Sequence, residues 1–340
     1  MLTFPGLDLP LIWSGLIAVA VVAYVMLDGF DLGVGILFAA EDGEDDRNMM
    51  VNSIAPVWDG NETWLILGGG GLFAVFPLAY AVIMSALYPT IIGMLLSLIF
   101  RGVAFEFRFR AETRRGRKLW DFAFFAGSTG AALFQGLTLG GLLQGIKVAG
   151  RQYSGGWFDW LTPFTVLCGV AVVVGYALLG AGWLIWRTEG EFQARVRRHA
   201  KVLGAATLGL IAVVSLWSPT LNPIFAERWF GWPGILLTSP VPVLMALLVW
   251  GFWRGLSLKH DVTPLLCSLG WFLLCFVGLG ISVYPSMVPP SISIWDAAAP
   301  PESQAFLLVG AAVLIPVILA YNFYAYYVFR GKVQVGANYH

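Results

Sequence analysis

Apolar runs separated by polar punctuation divide the chain into nine stretches on the scale of a bilayer crossing, near 9–38, 59–76, 79–101, 118–146, 161–187, 201–218, 233–253, 262–284 and 305–329. A hydrocarbon layer about 30 Å thick needs about 20 apolar residues per helical span, so the pattern predicts a helix for each stretch. The boundary that decides the count lies at Phe76, Pro77 and Leu78. The apolar sequence around it exceeds one span and has to reverse direction, and merging its halves would leave eight. Between the stretches no room remains for a soluble domain.

Charge placement tests this count, because Lys and Arg collect on the cytoplasmic side of a membrane. All of the 20 Lys and Arg residues except Lys147, Arg151 and Arg228 fall in alternate connections or in the tail. Merging the second and third helices would set the heavily basic loop around Arg101–Lys118 opposite the basic loop around Arg187–Lys201. The bias therefore favours nine spans, with the N-terminus outside and the C-terminus inside.

Composition narrows the function. Hydrophobic residues make up 58% and charged residues 12%, against roughly a quarter charged in soluble domains, and the zero net charge offers no basic field for nucleic acid. Cys168, Cys267 and Cys275 sit in apolar segments without metal-ligand spacing and read as small buried hydrophobes. There is no GxxxxGK[ST] phosphate loop, and the N-terminal MLTFPGLDLP lacks the charged region of a cleavable signal, so the first helix is expected to remain in the mature protein. Gly68 to Gly71 lie inside an apolar helix, where small residues let helices approach closely.

Ionisable residues at membrane depth are costly and mark function. Asp28 and Asp31 are three residues apart near the end of the first helix, and Asp59 and Glu62 open the second at the same spacing. Residues three apart share a helical face. With Arg101 closing the third helix, three antiparallel helices deliver four carboxylates and one guanidinium to one depth. Four acids cannot all ionise beside a single cation in a poor solvent for charge, so at least one is expected to hold a proton, as a proton relay requires. The plainer reading makes Asp59 a first-turn helix acid and Arg101 a snorkelling side chain. The continuation of apolar sequence after Asp31 through Phe38 favours function.

His199, His260 and His340 all fall in expected loops or the tail, so no helix offers a buried imidazole for haem. Met26 and Met84 read as core filling. Trp295 and Asp296 read as an interfacial tryptophan and a helix-start acid, and AYNFYAYYVFR as an interface belt.

Taken together, DGFDLGVG, NSIAPVWDGNETWLI, FRGVAFEFR and SISIWDAAAP, in that order along essentially the whole chain, closely resemble subunit II of the bacterial cytochrome bd ubiquinol oxidases. The resemblance implies an all-α integral membrane protein of about nine spans, arranged as two four-helix bundles plus a peripheral helix. It implies a haem-free subunit paired with a haem-bearing subunit I, which holds haems b and d, or b only, and the quinol site. Quinol would be oxidised at the outer face and O2 reduced to water with cytoplasmic protons. Small accessory subunits and a quinone or lipid bound by this chain are further expectations.

By position, Asp28, Asp31, Asp59 and Arg101 match acids and an arginine of the family's proton path. Where many members place a histidine before the Trp-Asp pair, this chain has Val57, and Glu62, often an amide in relatives, is the candidate replacement. The loop around Ser218–Trp232 is short, as in cyanide-insensitive relatives. From a different class, the same acids would suit a proton-coupled secondary transporter, although transporter sites gather near the midplane of the bilayer and these acids lie toward one end.

Overall fold

The computed structural model describes residues 6–333; His340 and the first five residues of the N-terminal segment lie outside that range. The helices are α1 (Leu9–Leu37), α2 (Glu44–Ile54), α3 (Trp58–Val75), α4 (Pro77–Arg108), α5 (Arg114–Gln144), α6 (Pro163–Arg187), α7 (Gly190–Leu221), α8 (Pro223–Phe230), α9 (Gly234–Thr238), α10 (Pro240–Ser257), α11 (Thr263–Val283), α12 (Ile294–Ala297) and α13 (Pro301–Val328). Two small antiparallel hairpins, Val148–Ala149 with Gln152–Tyr153 and Ser286–Val288 with Ile292–Ser293, lie in connections at the end away from the basic loops.

Local chemistry sets the helix ends. Asp8 caps α1 by accepting from the Leu11 amide at 3.0 Å, Thr113 caps α5, and Thr162 with Thr165 forms a reciprocal capping box on α6. These caps satisfy amides that would otherwise be orphaned. The apolar run of 59–101 breaks at Phe76, whose φ of −124° and ψ of 59° leave the helical region. The following Pro77 has no amide hydrogen to extend α3. Trp58, at the start of α3, packs on Phe105, near the end of α4, with ring centroids 5.2 Å apart, so the two helices form an antiparallel hairpin.

Among the described residues eight helices are long and apolar enough to cross a membrane. The separate 18-residue α3 is not one of them, because its first turns carry Asp59, Asn61, Glu62 and Thr63. Several helices outrun the expected spans. Helix α4 continues past Arg101 to Arg108, and α7 begins at Gly190 rather than near 201, which places His199 within a helix instead of a loop. The expected connection between the first two spans contains α2. Backbone hydrogen bonding persists where a helix leaves hydrocarbon for water, and an apolar pattern does not register those polar turns.

Helices α1, α3, α4 and α5 form one four-helix bundle, α6, α7, α10 and α11 a second, and α13 lies against α1 and α3 at the periphery. The bundles meet where α1 crosses α6 at Gly33 and Gly180. A methyl on Gly33 would be driven into the Tyr176 carbonyl, and one on Gly180 into the Gly33 backbone, so the helices touch main chain to main chain. Phe30 and Trp183 stack across the same seam with centroids 4.1 Å apart. The second bundle is centred on apolar side chains such as Phe252 and Trp271, whose ring centroids lie 4.9 Å apart.

A buried charge cluster as candidate functional site

The spacing of acids on α1 and α3 becomes a single site because α1, α3 and α4 run side by side in alternating directions. Asp28 and Asp31 are 0% exposed and Arg101 is 1% exposed. Arg101 turns inward, with a guanidinium nitrogen (Nη1) 3.1 Å from Asp28 Oδ1 and 3.7 Å from Glu62 Oε2. One nitrogen thus bridges two acids, and the guanidinium lies over the Trp58 ring, 5.6 Å from its centroid. Helix α5 makes room for this: at Gly127 it lies against the backbone of Ser97 and Arg101, where a side chain would collide.

The arginine does not sit at a helix end. Seven residues of α4 follow it, about 10 Å of helix, so the ion pair lies well inside the bundle and the snorkelling alternative does not describe it. Asp59 behaves differently. It occupies the first turn of α3, is exposed, and makes no ion pair among the described residues. The structure therefore brings Asp28, Asp31, Glu62 and Arg101 together and leaves Asp59 on the surface one turn away.

Sequence reasoning missed the amides and tyrosines around the acids. Asn61 Nδ2 donates to Asp31 Oδ2 at 2.7 Å, and Tyr326, from α13, donates through its hydroxyl to Asn61 Oδ1 at 2.7 Å. A second chain begins at the junction of the bundles: Tyr176 donates to Gln135 Oε1 at 2.8 Å, and Gln135 Nε2 donates to the Tyr24 hydroxyl oxygen at 2.7 Å. Tyr24 lies one helical turn before Asp28 on the same face. Asn61 could have been suspected from its place in the acidic motif beside Glu62. Nothing in the aromatic run of α13 distinguishes inward-facing Tyr326 from exposed Tyr321, Tyr324 and Tyr327.

Nearer the basic connections, Arg108 Nε donates to Asp121 Oδ1 at 2.6 Å and its Nη1 to Asn48 Oδ1 at 2.6 Å, while Arg47 reaches Asp121 Oδ2 at 3.0 Å. This buried pair pins α2 beneath the bundle. The remaining flagged positions take the plainer readings: Asp296 caps the short α12 with Ser293, Trp295 is exposed and donates to Asp8, and Gly71 packs on Ile17 of α1.

His260 is exposed, with Nδ1 3.2 Å from Thr263 Oγ1, and His199 lies near the start of α7 among charged neighbours. Among the described residues no group of three or more His, Cys, Asp or Glu side chains is arranged to hold a metal ion. The buried cluster offers instead a series of carboxyl, amide and phenol groups around one fixed cation, an arrangement suited to holding and passing protons.

Residues 9–329 match the family model described as cytochrome bd terminal oxidase subunit II. This chain belongs to that family. Among similar proteins, cytochrome bd-I ubiquinol oxidase subunit 2 of Escherichia coli (strain K12) is 32% identical over 361 residues, covering 95% of this chain and 94% of the relative. Cytochrome bd ubiquinol oxidase subunit 2 of Bacillus subtilis (strain 168) is 30% identical over 341 residues, with 95% and 96% covered. A chain in the structure of bd oxidase from Geobacillus thermodenitrificans shares the fold, with a TM-score of 0.73 at 16% identity over 95% of this chain and 99% of that one. In this bd subunit II the charge cluster lies in the first of the two bundles.

Proposed function

We propose that the chain is the haem-free second subunit of a quinol:oxygen oxidoreductase, supporting a haem-bearing subunit I and supplying protons to it through Asp28, Asp31, Glu62 and Arg101, with Asp59 at the mouth. The observation that carries this reading is the Arg101 guanidinium held between Asp28 and Glu62 within the bundle. Such a group costs several kcal/mol to bury and contributes nothing to packing that apolar residues would not. The basic connections support a cytoplasmic position for the nearer end of the cluster, with the N-terminus outside, the C-terminus inside and α3 as a ninth span. Quinol, oxygen and haems b and d, or b only, are assigned to the partner, a reading supported by the position of His199 and His260 outside the buried interior.

The direct test is oxygen consumption by the purified complex carrying Asp28→Asn or Asp59→Asn. A slowing of about tenfold or more is expected from losing a proton-transfer group, with the haem absorption spectrum retained. Wild-type turnover in both variants would remove the proton path and leave a structural subunit. Purification in mild detergent discriminates a transporter, which would emerge without a haem-bearing partner.

A further inference from the structure

Asp28 and Asp31 are equally buried, yet their surroundings differ. Asp28 lies 3.1 Å from the guanidinium. Asp31 has no cation within 4 Å among the described residues; its Oδ2 accepts from the Asn61 amide, and its Oδ1 has no hydrogen-bond partner there. The Asn61 amide is oriented so that every polar neighbour is matched. Its NH2 faces two acceptors, Asp31 Oδ2 at 2.7 Å and the Leu27 carbonyl at 3.5 Å, and its oxygen receives the Tyr326 hydroxyl.

The groups acting on Asp31 are Asp28 on its own helix, Glu62 on α3, Arg101 on α4 and Tyr326 on α13. Of these one is a cation and two are acids that already share it. We infer that Asp31 is the protonated member of the cluster at rest, kept neutral by its complete burial away from the guanidinium, and that Asn61 and Tyr326 are positioning residues that fix the orientation of its carboxyl. The amide hydrogen occupies Oδ2, so the proton resides on Oδ1, the oxygen left free to pass it on. An isolated charge at this depth would be severely penalised, whereas a neutral carboxyl with its carbonyl oxygen hydrogen-bonded is not.

This inference rests on the proton-path reading, and its test separates the two. In the intact complex, infrared spectra should contain a protonated-carboxyl band, recognised by its shift on exchange into D2O, that Asp31→Asn removes. Tyr326→Phe should move that band to higher frequency, because the released Asn61 amide donates less firmly to the carbonyl oxygen, and should shift the pH profile of turnover. Since an amide replaces an already neutral group, Asp31→Asn should leave the melting temperature of the complex unchanged, whereas Asp28→Asn, which strips the near counter-ion from Arg101, should lower it.

A protonated-carboxyl band unaffected by Asp31→Asn, or a melting temperature that falls as far in Asp31→Asn as in Asp28→Asn, overturns the assignment. An unmoved band in Tyr326→Phe overturns the positioning role. Loss of the band with wild-type turnover would leave the assignment standing and defeat the proton path.

Discussion

The two bundles have the same helix number and similar packing, and they differ in what their interiors contain. The first encloses Asp28, Asp31, Arg101, Asn61 and Gln135; the second encloses rings, aliphatic side chains and a few hydroxyls such as Ser268 and Thr207, with its charged residues at the ends. Both would fold in lipid with an apolar core, so the polar interior of the first is not needed to make a bundle. One chain thus sets a charged interior beside an apolar one.

The largest effect that would sharpen this comparison is expected from Arg101→Leu. Removing the cation leaves Asp28 buried without its partner, a loss of roughly 3–5 kcal/mol, and both the melting temperature of the complex and its oxygen consumption should fall. Phe252→Ala in the second bundle should cost a comparable ~3–5 kcal/mol through the cavity it opens while turnover per haem in the surviving complex stays at the wild-type value. Equal loss of specific turnover in Phe252→Ala would erase the functional distinction between the bundles. Gly33→Ala strikes the seam between them, and overpacking there should cost about 1–3 kcal/mol, read as lower detergent stability of the complex.

The smallest effect concerns the segment after the peripheral α13, which fastens to the second bundle. Arg187 donates to the Phe329 carbonyl, the Val333 amide donates to the Arg187 carbonyl at 2.8 Å, and Lys332 pairs with Asp261 at 2.7 Å. Burial pushes the Asp261 carboxyl up, but hydrogen bonds and charge from Lys332, with Gln193 and Arg197, outweigh it and hold the group below the usual carboxylate range. A depressed value means that the pair contributes above the unfolded pKa of about 3.9 and that the contribution disappears as pH falls through the lower folded value. Because the pair is partly exposed, it is worth less than ~1 kcal/mol. Protease sensitivity of the segment should rise only below about pH 4, and Asp261→Asn should abolish that pH dependence.

The sequence made much of this arrangement legible. Apolar run lengths revealed the helices, Pro77 revealed the break before α4, and the rarity of acids in apolar sequence singled out Asp28, Asp31 and Glu62. What stayed hidden was set by direction rather than composition. Asp59 and Glu62 share a spacing rule, yet only Glu62 reaches Arg101. Tyr326 and its neighbours are indistinguishable until packing decides which ring turns inward. Arg101 reads as the residue closing its helix and Arg108 as a loop charge, because hydropathy cannot distinguish an arginine that ends a helix from one buried inside it by a close-packed neighbour such as Gly127.

The guanidinium at the centre of the cluster has a consequence for salt. Arginine does not deprotonate in proteins, so any ion drawn inward along the first bundle meets a permanent positive charge in a narrow, poorly hydrated place. Sodium and potassium would have to shed water and approach that charge, whereas along the proposed proton path hydrogen ions would be handed from oxygen to oxygen around it. A respiratory complex built on this subunit could thus draw on the abundant water outside the bundle for its chemistry without becoming a leak for the alkali cations of the cell.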